Sequence, residues 1–223
     1  MSVREEIQDG REAGILRSGI IYTEVLGWVD MGHARGDDVR KLLSDMHQGE
    51  HSGKDYYDVK YTQSMGRGGL TIGKFIRWRI RKGRSLFERY SIALSMMMAL
   101  AHRFEGLQSN FPFFLYTDSG FSGEDLVSDL LGFYRVFSYS NPFPLLQPVS
   151  KEEALRRWDY YGPIGSFKNT SFQPILFPDP MKSALALPVK GVLPSFMRTV
   201  IPYSDFSSGN VKIVSRDGTV VNW

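Results

Sequence analysis

The chain has 223 residues, 42% of them hydrophobic and 13% aromatic, which supplies a sizeable core and excludes a disordered polypeptide. Its net charge of +3 is small, so composition alone gives only weak support for an anionic partner. There is no cysteine, which excludes disulfides, thiol nucleophiles and every cysteine-bearing metal site. That absence fits an oxidising compartment without demanding one. The first residues, MSVREEIQDGREAG, are polar and lack the basic start and apolar centre of a signal peptide. No stretch qualifies as a membrane span. The chain therefore reads as soluble, with an exported or periplasmic location left open because a leader can be removed.

In chain order, residues 1–18 read as a polar lead-in or short helix. Gly19 to Asp30 is β-rich and runs into MGHARGDD. Asp37 or Asp38 can cap a short helix from Val39 to His47, whose apolar face is Val39, Leu42, Leu43 and Met46. HQGEHSGKD follows as a polar loop. Tyr57–Tyr61 and Leu70–Arg81 alternate as two strands of a hairpin, with SMGRGG as the turn. Ser122 to Asp125 opens a helix reaching roughly Phe137, NPFPLLQP is irregular, and Ser150 with Glu153 begins a short helix ending near Gly162. Prolines then fragment the chain into extended segments, and Val211 to Trp223 alternates around Asp217-Gly218 as a hairpin.

The organising stretch is residues 85–108. Ser85 and Glu88 form a capping box, and Ile92 to Ala101 is apolar apart from Ser95. At roughly half the 20 residues a bilayer requires, it predicts a buried core helix. Glu105 continues its apolar stripe, seven residues after Met98, and His102 lies on an adjoining face. Glu105 is either solvated where the helix surfaces or a buried acid or base. The expected fold is α+β: a single domain, 1–223, with this helix packed against two or three others and a small, mainly antiparallel sheet. Within it, 1–18 is the lead-in, 19–137 carries the motifs, and 138–223 is a proline-rich wrap ending in a hairpin.

The densest functional candidate is Gly27 to Asp38, where a strand enters a glycine-punctuated turn carrying Asp30, His33 and Arg35. An aspartate that accepts from one ring nitrogen fixes the tautomer of a histidine and leaves the other as a general base. Arg35 can hold an anionic group bidentately. Alternatively Asp30 and Arg35 pair and His33 is a structural donor. Alternation places Trp28 on the strand face that carries Asp30. A second candidate spans Asp118, Ser122 and Glu124. Ser122 at a helix start can act as a nucleophile met by His33, although a plain cap with Asp125 is the simpler account. His47, Glu50 and His51 have an i, i+4 histidine spacing, but the carboxylate is misplaced for a metalloprotease motif and glycines flank it, so no metal is expected. Lys74, Arg77, Arg79, Arg81, Lys82 and Arg84 interleave with Phe75 and Trp78. Nucleic acid would fit that strand, but a solvated face is the commoner explanation. The aromatic loops FPFF, NPFP and WDYYGPIGSF either line a groove for sugars or peptides or close the core.

GWVDMGHARGDD and FSGEDLVSDLLGFY together resemble a bacterial domain family of uncharacterised function. The resemblance falls on Gly27, Asp30, His33, Arg35 and Asp38, on Glu105, and on Phe121, Ser122, Glu124, Asp125, Leu126, Ser128, Leu130, Leu131 and Gly132. It spans roughly residues 19–137. Many members look like exported envelope proteins or lipoproteins. Where that family often has a histidine directly before the helix acid, this chain has Phe104.

These readings converge on a hydrolase acting on a bacterial envelope polymer, peptide or glycan, without a cofactor. His33 is the general base, Asp30 its orienter, Arg35 the anion anchor, Glu105 a buried acid or base, and Ser122 a nucleophile or substrate-side donor. Trp28, Asp118 and Glu124 contact substrate. The competing classes are a non-catalytic binding module with a structural Asp-His-Arg network, and a nucleic-acid binder using residues 74–84.

Overall fold

The computed structural model describes residues 2–67, 70–108, 124–138, 140–169, 171–182, 186–215 and 220–221, with side chains at 63–67, 70–74, 101–108 and 220–221 left out of the description. The chain is α+β. It divides into two compact units, residues 1–36 with 105–198 and residues 37–104 with 199–223. Each unit draws on two separate stretches of the chain.

The first unit is built on a sheet of order β1-β2-β5-β6. β1 (Ile20–Thr23) and β2 (Gly27–Asp30) form a tight antiparallel hairpin, with Ile20 opposite Asp30 and Tyr22 opposite Trp28. β5 (Ile175–Leu176) joins β2 in parallel at Gly27, and β6 (Val189–Lys190) closes the order antiparallel to β5. One face of β1–β2 packs Ile20, Tyr22 and Trp28 into a core with Ile7, Val149, Ala154, Trp158, Ile164 and Phe177. On the other face Ile21 and Val29 are equally buried, so the hairpin is covered on both sides and shows no apolar–polar alternation. β2 packs against α3 (Asp125–Phe137), which ends where the sequence predicts and buries every residue from Leu126 to Tyr134. NPFPLLQP, expected to be irregular, contains a four-residue helix, α4 (Phe143–Leu146). α5 (Lys151–Tyr161) has the predicted capping box: Ser150 Oγ accepts from Glu153 N at 3.2 Å, and Glu153 Oε2 accepts from Ser150 N at 3.0 Å. Its Arg157 is buried, donating from Nε to Phe177 O at 2.8 Å and from Nη2 to Glu24 at 2.6 Å. The lead-in contributes two single 3-10 turns and buries Ile7 beside Ile20.

In the second unit the sheet order is β3-β4-β7-β8. β3 (Tyr56–Arg67) and β4 (Leu70–Arg81) form a hairpin of twelve-residue strands, so Ser64 to Arg67, read as turn, lies in strand. β7 (Val211–Val214) adds antiparallel to β4 and carries β8 (Val220–Val221), the predicted C-terminal hairpin. α1 (Asp37–Glu50) runs three residues past its expected end. Gly49 is kept in that helix by the Tyr57 ring, because a Cβ there would lie 2.2 Å from the ring. α2 (Leu86–Gln108) is the predicted central helix, with the Ser85–Glu88 box formed and Ile92, Ala93, Leu94, Met96, Met97 and Leu100 buried. Its one polar interruption is satisfied: Ser95 Oγ donates to Tyr203 O at 3.0 Å, while Tyr203 N donates to Ser91 O at 3.1 Å. The chain at Tyr203 is thereby tied to this helix.

Candidate functional site

The turn after β2 is set by Asp30. Its Oδ1 accepts from the backbone N–H of Gly32 at 2.7 Å and of His33 at 3.2 Å, the usual way a short carboxylate bends a chain into a turn. A single 3-10 turn, His33–Arg35, follows and is closed by Gly36 at φ 66°, a left-handed conformation glycine adopts without penalty. Gly36 meets Gly132 on α3. A Cβ on Gly36 would stand 2.3 Å from the Gly132 carbonyl oxygen, and one on Gly132 would stand 2.6 Å from the His33 carbonyl oxygen. Two glycines thus let turn and helix backbones touch.

That contact decides which side chains of α3 reach the turn. Ser128, Gly132 and Arg135 recur at helical spacing on one face, with Asp129 beside them. Ser128 Oγ accepts from Asp30 N at 2.9 Å and donates to Glu124 O at 2.7 Å. Arg135 Nη1 donates to Ala34 O at 2.6 Å, with its guanidinium 4.8 Å from the centre of the Phe143 ring. Asp129 Oδ1 lies 2.8 Å from His33 Nδ1. The two blocks that carry the resemblance are therefore joined in space, through Asp30–Ser128, His33–Asp129 and Gly36–Gly132.

Electrostatically the pair is an imidazolium and a carboxylate. Burial alone would lower the His33 pKa. The charge and hydrogen bond of Asp129, then the charges of Asp125 and Asp30, outweigh it and push it up to about 10. At neutral pH both ring nitrogens carry hydrogen, and Nδ1 donates to Asp129. The two partners are unequally covered: the Asp129 side chain is 6% exposed and that of His33 is 37% exposed. The site is a charged, partly exposed ring backed by a buried anion. Such a site can donate to an oxyanion, a carboxylate or a leaving group.

Asp129, not Asp30, takes the ring nitrogen; Asp30 spends its carboxylate on the turn backbone. With its pKa pushed up, His33 is not a free general base near neutrality. Trp28 is buried edge-on between Tyr22 and Trp158, which makes it a core residue and removes it from a substrate face. Glu124 is also buried, and its Oε1 accepts from Ser2 Oγ at 2.7 Å, so it too is no surface contact. Arg35 is half-buried at the end of the turn. Glu105 falls on α2, but its side chain, like the whole of Asp118 and Ser122, lies outside the described residues, as does the FPFF loop. Phe143, Trp158 and Tyr161 from the other two aromatic loops pack in the core. Glu50, weighed as a metal ligand, instead accepts from Tyr57 Oη and from the backbone of Gly83 and Arg84.

Asp129 was missed because it sits inside the apolar run Leu126 to Leu131, where helix periodicity alone marks a core. The available signal was chemical: an ionisable residue in a fully buried segment needs a partner. Comparison with protein-family models, curated proteins and solved structures finds no match to the chain.

Proposed function

We propose that the β2–α3 junction is the centre of a hydrolase acting on a peptide or glycan polymer, with the His33–Asp129 pair handling charge and proton. One observation carries the reading: a buried carboxylate holds one ring nitrogen at 2.8 Å while the His33 side chain as a whole stays partly exposed. A carboxylate in that position orients an imidazole and stabilises its charged form without itself becoming protonated. Because His33 is charged up to about pH 10, its part begins with donation, from Nε2–H to a developing oxyanion or leaving group. A pKa so far from neutrality favours charge stabilisation over proton transfer. Arg35 is the candidate anchor for an anionic substrate group, and Glu105 and Ser122 remain the candidates for the acid–base partner and nucleophile. The bacterial-envelope substrate class follows from the resemblance of the two motif blocks.

A second reading is favoured by a separate observation. Asp30, Ser128 and Arg135 all direct their polar groups at the backbone of the turn or its flanks. A non-catalytic module would use the same network only to hold a binding loop. His33→Gln tests the two, assayed as fragment release from purified cell wall and as toxicity on export to the periplasm. The hydrolase reading expects wild-type activity and its loss in His33→Gln, with the fold retained. A wild type inert on every envelope substrate, beside a variant that melts well below it, would hand the site to the structural reading.

A further inference from the structure

We propose that the outer face of the β3–β4–β7 sheet is a docking surface for single-stranded nucleic acid, independent of the His33 site. β4 alternates strictly: Ile76, Trp78 and Ile80 are buried, while Phe75, Arg77, Arg79 and Arg81 point the other way. The register places Lys60 opposite Arg77, Asp58 opposite Arg79, Tyr56 opposite Arg81, and Lys212 of β7 on the far side of Arg79. Among the described residues, five cations therefore share one face with a single acid, Asp58, which is held by Arg79 at 2.7 Å. Lys60, Arg77 and Arg81 have no carboxylate partner among the described residues. Val214, opposite Arg77, is buried and bounds the open face on that side.

The arrangement is more specific than net positive charge. Alternate residues of a strand stand roughly 6.6 Å apart, so Arg77, Arg79 and Arg81 form a file spaced like successive phosphates of an extended strand. Arginine binds phosphate through a planar fork, and all three positions of the file are arginine. The face also carries two rings, Tyr56 and Phe75, with the ammonium groups of Lys212 and Lys60 at 5.6 and 4.3 Å from their centres. Rings set among cations on an open sheet are what single-stranded nucleic acid uses, bases stacking while phosphates pair. A membrane-binding face would instead carry protruding aliphatic side chains, and no exposed aliphatic residue occurs on the described part of this one.

The test is fluorescence anisotropy of the full chain with a labelled oligodeoxythymidine, repeated over a salt series. Neutralising three to five phosphates predicts a slope of roughly −2 to −3.5 in log K against log salt. The double variant Arg77→Glu/Arg81→Glu should weaken binding by at least about tenfold with little change in its melting curve, because Arg81 is exposed and Arg77 only half-buried. Arg40→Glu/Lys41→Glu on α1, with the same change in charge, should weaken it far less. No binding at low salt, or equal losses in the two double variants, would overturn the proposal. So would tighter binding to a matching duplex, where the rings have no free base to meet. Binding to phosphatidylglycerol vesicles without binding to the oligonucleotide would overturn it in favour of a membrane.

Discussion

The turn held on α3 and the outer face of the β3–β4–β7 sheet both concentrate charge, and they treat it in opposite ways. At the turn, charged groups have fixed partners: Asp30 on backbone amides, Asp129 on the His33 ring, Arg135 on a carbonyl. On the sheet face the cations stand side by side, and among the described residues only Arg79 has a carboxylate. The first region uses polarity to hold a backbone in place, where removing water makes an unpaired group costly. The second keeps its charges wet, where they cost little and act at a distance. Substitutions in the first should therefore appear in stability and pH dependence, and those in the second in binding and salt dependence.

The largest effect should come from Gly36→Ala. The new Cβ would lie 2.3 Å from a backbone oxygen, at a residue whose φ is 66°. Backbone strain and overpacking together should cost about 3 kcal/mol, read as a lower urea midpoint. Gly53→Ala is the matched control, since nothing lies within 4 Å of its Cβ position and its φ is ordinary. A loss at Gly36 no greater than at Gly53 would mean that turn and helix do not touch as described.

Next is His33→Ala, which strands the buried Asp129 carboxylate. Breaking a fully buried pair costs about 3–5 kcal/mol; with the ring 37% exposed, solvent screening reduces this to about 2 kcal/mol. The same pair dictates the pH dependence. The folded pKa of His33, about 10, stands above its unfolded value, near 6.5. The stabilisation is therefore complete below about pH 6.5 and is lost as pH rises through 10. The stability gap between wild type and His33→Ala should shrink across that window. A constant gap would break the link between the ion pair and the fold.

A smaller, more local effect is spectroscopic. Ring signals of His33 should stay those of the imidazolium from pH 5 to 8, and Asp129→Asn should lower the titration midpoint. An ordinary histidine titration in wild type would show that Asp129 does not hold the proton.

How much of this was legible in sequence follows from the range of the forces involved. The capping boxes at Ser85 and Ser150, the end of α3 at Phe137 and the hairpins β3–β4 and β7–β8 are short-range features, and residue spacing marks them. The polar turn Asp30 to Gly36 was visible for the same reason. The parallel pairing of Gly27 with Ile175 was not, because it joins distant stretches with no local mark. Nor was the partner of His33, since choosing Asp129 over Asp30 needs the Gly36–Gly132 contact that sets the helix under the turn. The fate of Trp28 shows the same limit: period two placed it on the face of Asp30, and only the packing of Trp158 made that face a core.

The smallest expected change in stability, and the one that best sharpens the contrast between the regions, is Asp58→Asn. Its carboxylate meets Arg79 at 2.7 and 3.0 Å, a bidentate geometry that would be strong if buried. Both side chains are about a third exposed, however, and exposed pairs contribute about 0.2–1 kcal/mol. Melting should therefore change little. The electrostatic consequence runs the other way, because the substitution removes the one acid among the described residues of this five-cation face and frees Arg79 to meet a phosphate. Affinity for oligodeoxythymidine should rise and its salt slope should steepen by up to about 0.7, one further phosphate contact. At the His33 turn the corresponding change, Asp129→Asn, should do the reverse, costing stability and leaving oligonucleotide affinity untouched. If Asp58→Asn destabilised the fold as much as Asp129→Asn, the sheet face would be a structural ion network like the turn, and the division between a held region and a solvated one would fail.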